Sequence, residues 1–115
     1  MSEYLYFKNN VMHNGVNYTV RLGANWYDKV KAGDKVFLLT TGTVPEVSDK
    51  PKGVIVDVTY IRYREIPAFV LENEHDPECT NFKGLNKAME KAYPEFLKDP
   101  YYFNSYVTCL GFVIE

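Results

Sequence analysis

Thr19 and Arg21, two residues apart on one short segment, carry the chemistry most easily read from this chain. An arginine presents a planar fork of donors that matches a phosphate or the edge of a nucleobase, and a threonine hydroxyl both donates and accepts. Tyr18 and Trp26, close by in sequence, and the more distant Tyr63 supply rings on which a base can stack. Each has a structural alternative: Arg21 in an ion pair with one of the neighbouring acids, Thr19 facing solvent on a strand, Trp26 in the core. A second concentration lies at residues 72–79, where Glu72, Glu74, Asp76 and Glu78 surround His75 and precede Cys79. One imidazole and one thiolate do not complete a tetrahedral zinc shell. His13 and Cys109 would have to converge on them, so neither a metal nor another cofactor is expected. The acidic run reads as a solvated helix end, with Asp76-Pro77 as turn chemistry.

The elements that must position these residues follow from local pattern. Residues 3–8 have strand composition, and turns at Asn9, Asn10, Asn14 and Gly15 bracket a short piece at residues 11–13. Residues 16–22 alternate apolar and polar with period two, predicting a half-buried strand whose polar face carries Asn17, Thr19 and Arg21. Trp26, Tyr27 and Val30 fall at helical spacing and predict a short helix over 25–31. After a Gly33-Asp34 turn comes a buried strand over 35–40, then a long Gly- and Pro-bearing loop over 41–52. The most strand-like run covers 53–61. Pro67 opens a helix over 68–74, and a polar break follows. Asn81 caps a helix over 82–93 whose apolar stripe is Phe82, Leu85, Met89 and Tyr93. Pro94 and Asp99-Pro100 stop that helix, and residues 106–114 form a closing strand. Strands dominate and two helices are inserted late, which predicts an α+β domain built on a small curled sheet or β-barrel, with helices placed before the last strand.

Composition sets the outer bounds. At 115 residues, with 46 % hydrophobic and 24 % charged side chains, the chain has the make-up of one globular domain spanning residues 1–115. Ten Tyr and seven Phe fill a small core efficiently. A net charge of −2 gives no support for a grip on duplex DNA, although a local basic patch or recognition of a single nucleoside stays open. One such patch would gather Lys29, Lys31, Lys35, Lys50, Lys52, Arg62 and Arg64. Two cysteines without a CxxC spacing, the absence of a long apolar run and an N-terminus without signal-peptide character make the cytoplasm the default setting, with both thiols free and no membrane partner.

The order of elements resembles the ASCH family of the PUA-like superfamily, through several local signatures. The segment Asn14-Gly15-Val16-Asn17-Tyr18-Thr19-Val20-Arg21 is similar to the family's first strand, with Thr19 and Arg21 in place. Gly33-Asp34-Lys35-Val36 matches its turn into a strand. Acidic residues 72–78 ahead of a helix ending in Tyr93-Pro94, and Val107-Thr108 with Phe112 in the last strand, match the remainder. The resemblance implies a PUA-like barrel with a cleft that takes RNA, a nucleoside or a nucleotide. It includes a small bacterial amidohydrolase that deacylates N4-acetylcytidine with a Thr, a Lys and a Glu. Carried over, the Thr falls on Thr19 and the Glu on Glu78, while the Lys falls on Val16, which can neither donate nor accept a proton. Lys8, on the preceding strand, is the nearest candidate to take its place.

Three readings stand at this point. The first is a binding module for RNA or a nucleotide, using Arg21, Thr19, Glu78, Tyr18 and Trp26. The second is an amidohydrolase on an acylated pyrimidine nucleoside, with Thr19 and Glu78 as catalytic groups. The third is an accessory protein that binds another protein through the acidic segment and Tyr101-Tyr102-Phe103.

Overall fold

The computed structural model describes residues 3–9, 11–44, 46, 50–94 and 105–115. The element order is β1 (Glu3–Phe7), β2 (Asn17–Leu22), α1 (Asn25–Lys29), β3 (Lys35–Thr40), β4 (Gly53–Arg62), α2 (Ala68–Glu72), α3 (Phe82–Ala92) and β5 (Tyr106–Ile114). Single 3-10 turns at Tyr63–Glu65 and Pro77–Cys79 flank α2. The α+β class and the late helices agree with the sequence pattern. Asn10, part of the 41–52 loop, Asp99-Pro100 and Tyr101-Tyr102-Phe103 lie outside the described residues. No helix among the described residues is long and apolar enough to cross a membrane.

The strands form one mixed sheet in the order β1-β3-β4-β5-β2. β4 and β5 make its spine, paired antiparallel from Gly53↔Ile114 to Arg62↔Tyr106 with a bulge between Ile55 and Asp57. A bulge increases local twist and bends the strand. β3 meets β4 only at Lys35↔Val54 and Val36↔Gly53 before diverging to pair in parallel with β1. The sheet therefore curls without closing: no ladder joins edge strands β1 and β2 among the described residues, so of the curled sheet or barrel expected, it is a curled sheet and not a barrel. A side chain reaches across the gap. Arg21 on β2 donates from Nη2 to the carbonyl of Tyr6 on β1 at 2.9 Å.

β5 is buried on both faces, as its apolar run suggests. Val107 and Cys109 join Tyr18, Val20, Val70, Leu71, Leu85 and Met89 in a core beneath α2 and α3. Leu110 and Phe112 join Leu5, Phe7, Val30, Val36 and Ile55 in a second core on the inner side of the curl, against which Trp26 packs. Asn81 caps α3 as expected, its Oδ1 accepting from the Gly84 amide at 2.9 Å. Gly84 is needed for a second reason. A Cβ there would lie 1.6 Å from the Glu78 carbonyl oxygen, so only glycine lets α3 lie this close to the preceding turn.

Candidate functional site

Between the two sheet edges lies a cleft of about 330 Å³. Its floor is β2 at Thr19, Val20 and Arg21, and one rim is the end of β1 and the residues just after it, from Tyr6 to Asn9. Residues 74–76 form the other polar wall, while Leu85, Ala88, Met89 and Ala92 of α3 supply an apolar one. The volume falls at the small end of the range for ligand pockets, about 300–1,000 Å³.

The polar wall is set by a contact that local pattern does not reveal. The sequence predicts a helix to residue 74, but α2 stops at Glu72, and residues 73–75 run alongside β2 as a short parallel bridge, Tyr18↔Glu74. The Tyr18 amide donates to the Asn73 carbonyl at 2.8 Å and the His75 amide donates to the Tyr18 carbonyl at 2.9 Å. From the other side the 11–15 loop clamps the same stretch. His13 Nε2 lies 3.0 Å from the Asn73 carbonyl, and His75 Nδ1 lies 3.0 Å from that of Val11. Asn17 steadies this loop, accepting from the His13 amide at 2.9 Å and donating to the His13 carbonyl at 2.8 Å. The expected solvent-facing polar side of β2 is thus covered: Asn17 is fully buried and Thr19 only 4 % exposed.

Within the cleft Arg21 donates from Nε to Thr19 Oγ1 at 3.1 Å, and its guanidinium carbon sits 5.0 Å from the centroid of the Phe7 ring. Burial weakens the guanidinium's hold on its proton, and Tyr93 and Glu74 oppose that shift; it remains charged at any ordinary pH. Those two contacts use two of its five N–H groups. No buried side-chain nitrogen or oxygen among the described residues lacks a partner, so Nη1, which makes neither contact, is within reach of solvent or a ligand.

Glu74 is the carboxyl that lines the same cleft and acts on Arg21 by charge. It is 5 % exposed, and burial above all pushes its pKa up to about 8. Asp76 raises it further by charge, while the Asp76 amide and Arg21 pull it down. Its Oε1 lies 3.3 Å from His75 Nε2. Burial depresses the His75 pKa. The geometry agrees with both shifts: with Nδ1–H directed at the Val11 carbonyl, a neutral ring offers Nε2 as an acceptor, and a protonated Glu74 supplies the hydrogen. The neighbouring Phe7 ring meets the imidazole edge-on at 4.7 Å. Burial thus disfavours the charged form of both groups, raising the Glu74 pKa and depressing that of His75.

The sequence-derived candidates divide sharply. Thr19 and Arg21 line the cleft, and Lys8 lines it from just past the end of β1. Glu78 does not; it is exposed on the 3-10 turn and faces a neighbouring depression, because that turn carries it past the cleft. Glu74 occupies the place expected for it. Tyr18 is no stacking platform: its ring is buried and its hydroxyl donates to Asp57 Oδ2 at 2.6 Å on the other face of β2. Trp26 packs against the inner core with Lys29 Nζ 5.0 Å from its ring centroid, away from the cleft. Val16 is exposed ahead of β2 and lines no part of it. Lys29, Lys31, Lys35, Lys50, Lys52, Arg62 and Arg64 line neither the cleft nor the neighbouring depression. Cys79 and Cys109 are buried free thiols whose pKa values burial pushes up to about 12, which leaves them poor nucleophiles.

Comparison with protein-family models, curated proteins and solved structures found no match. The cleft's own chemistry carries the functional reading. It offers a cationic fork, a hydroxyl, an ammonium group and a buried carboxyl on one side, with aliphatic surface on the other. That combination suits a flat, polar-edged ring bearing hydroxyls or a phosphate.

Proposed function

We propose that this chain is an ASCH-type binding module whose cleft takes one nucleoside or nucleotide, free or as an unpaired residue of RNA. The observation that carries the reading is the convergence of Arg21, Thr19, Glu74 and Lys8 on one cleft with an apolar wall from α3. A base lies against Leu85, Ala88 and Met89, while Arg21 takes a phosphate or a base edge through its spare N–H groups. A cytoplasmic setting belongs to the same reading, since both thiols stay reduced there. Calorimetric titration with nucleosides and their monophosphates tests it. The wild type should bind at least one of them, and Arg21→Gln should weaken that binding about 30-fold, roughly 2 kcal/mol. Equal affinity in the variant would remove Arg21 from recognition.

A second reading, deacylation of an N4-acylated cytidine, draws on Glu74. A carboxyl that keeps its proton to about pH 8 can protonate a departing amine. The binding reading stands ahead of it because Thr19 Oγ1 accepts from Arg21, and none of its hydrogen bonds among the described residues runs to a base. Incubation with N4-acetylcytidine, with cytidine release followed by chromatography, separates the two. Turnover that is lost in Thr19→Ala and Glu74→Gln would establish the enzyme.

A further inference from the structure

The cleft opens past Lys8 into a wider depression of about 770 Å³. Lys8, Asn9, Asp76, Cys79 and Ala88 line both, so the two form one continuous hollow. The outer part runs beneath α3, where Lys83, Lys87 and Lys91 recur every fourth residue and are all exposed. Residues four apart stand on one helix face, about 6 Å from one to the next along the axis. That spacing is comparable with the separation of neighbouring phosphates on an extended single strand.

A row of lysines on the face opposite Leu85 and Met89 is by itself what any amphipathic surface helix shows. Two features set this one apart. The lysines stand over a trough whose far wall is built by residues 8–9 and 76–79, and that trough leads into the cleft. The local charge also runs against that of the whole chain. Lys8, Lys83, Lys87 and Lys91 face Asp76, Glu78 and Glu90 in a chain whose net charge is −2. Asp76 is engaged within the wall itself, accepting from Asn9 Nδ2 at 3.0 Å and from the Glu78 amide at 3.0 Å.

We infer that the ligand is a single nucleic-acid strand rather than a free nucleoside. One residue enters the cleft at Arg21 and Thr19, Lys8 holds the phosphate at the junction, and the following phosphates track Lys83, Lys87 and Lys91. This rests on the nucleoside reading of the cleft and adds the class of molecule that presents the nucleoside.

The test compares the wild type with Arg21→Gln and with the triple variant Lys83→Gln, Lys87→Gln, Lys91→Gln, whose exposed positions leave the fold intact. Fluorescence anisotropy follows a short labelled single-stranded RNA, its DNA counterpart and the RNA duplex over a range of salt. Calorimetry follows the free nucleoside. The triple variant should bind the single strand about tenfold or more weakly at low salt, and the slope of log affinity against log salt should flatten by about 2, near 0.7 for each phosphate released. Its affinity for the nucleoside should be unchanged, and Arg21→Gln should weaken both. RNA bound in preference to DNA assigns the ligand to RNA through its 2′-hydroxyls; equal binding assigns it to single strands of either kind. An unchanged slope and affinity in the triple variant overturns the inference, as does a duplex bound as tightly as the single strand, or an equal loss of nucleoside affinity. Lysine-dependent strand binding without any nucleoside binding would retain the track and refute the cleft.

Discussion

Two polar clusters sit on opposite faces of β2 and differ in how completely they are satisfied. On the helix-covered face Tyr18 donates to Asp57 Oδ2 at 2.6 Å, and Thr59 Oγ1 donates to Asp57 Oδ1 at 3.3 Å. Burial first, and then Asp57, hold the phenol's proton far above its usual range. Phe69 meets the ring edge-on at 5.9 Å, and Gly111 leaves it room. One residue along the strand and on the other face, Thr19 and Arg21 join Glu74 and His75 around an open cleft, and Arg21 keeps donors to spare. A fully paired buried group specifies packing, whereas a pre-positioned group with unused donors has capacity left for a ligand. The same alternation of a strand thus places the Tyr18–Asp57 pair in packing on one side and Thr19 and Arg21 beside the cleft on the other.

Substitutions at the two clusters should separate stability from binding. The largest effect is expected from Gly111→Ala. Its Cβ would lie 2.9 Å from the Tyr18 ring and 3.1 Å from the Asp57 Cβ, in a part of the core with no slack. It should destabilise the fold by about 3 kcal/mol in a denaturant titration, with ligand affinity kept in the folded fraction. Loss of ligand affinity in that fraction would mean that the two faces are coupled.

Glu74→Gln should act next, through pH. In the fold Glu74 keeps its proton to about pH 8, whereas in the unfolded chain it loses it near 4.5. The native state therefore binds more protons between those values, and stability falls as pH rises through that window. His75 works in the opposite sense: burial depresses its pKa below 6.5, so the stability of its neutral form is lost as pH falls. Asp76, Arg21 and His13 are the charged or titratable groups acting on His75, and Asp76 and Arg21 act on Glu74. Below about pH 6.5 the two trends oppose each other, and above it only that of Glu74 remains. The wild type should lose up to about 2 kcal/mol between pH 6.5 and 8. Thermal melts of Glu74→Gln should be flat there, and a matching decline in the variant would assign it to another group.

The smallest effect should come from Tyr18→Phe. Removing the phenol leaves Asp57 with Thr59 and costs about 1 kcal/mol. Nucleoside affinity should not change; a loss there would return Tyr18 to the site.

Most of the secondary structure was legible because local signals agreed with it. The β2 alternation, the Asn81 cap, the stripe of Leu85 and Met89 and the apolar β5 run each specify an element without outside help. Thr19 and Arg21 were legible as a pair because residues two apart on a strand share a face. Glu74 was not. It stands one residue from His75 in an acidic run in which every carboxylate looks alike, and the helical pattern extends through it.

Chain order, element type and the pairing of Thr19 with Arg21 were thus settled by amino-acid pattern alone, since propensity and periodicity act over a few residues. The tertiary structure decided which carboxyl faces them. Residues 73–75 leave α2 to pair with Tyr18 and are clamped by the 11–15 loop, and the curl of the sheet brings β1 across from β2. Those contacts join segments far apart along the chain, and their free energy depends on the whole packed arrangement, so no local stretch of sequence carries their signature.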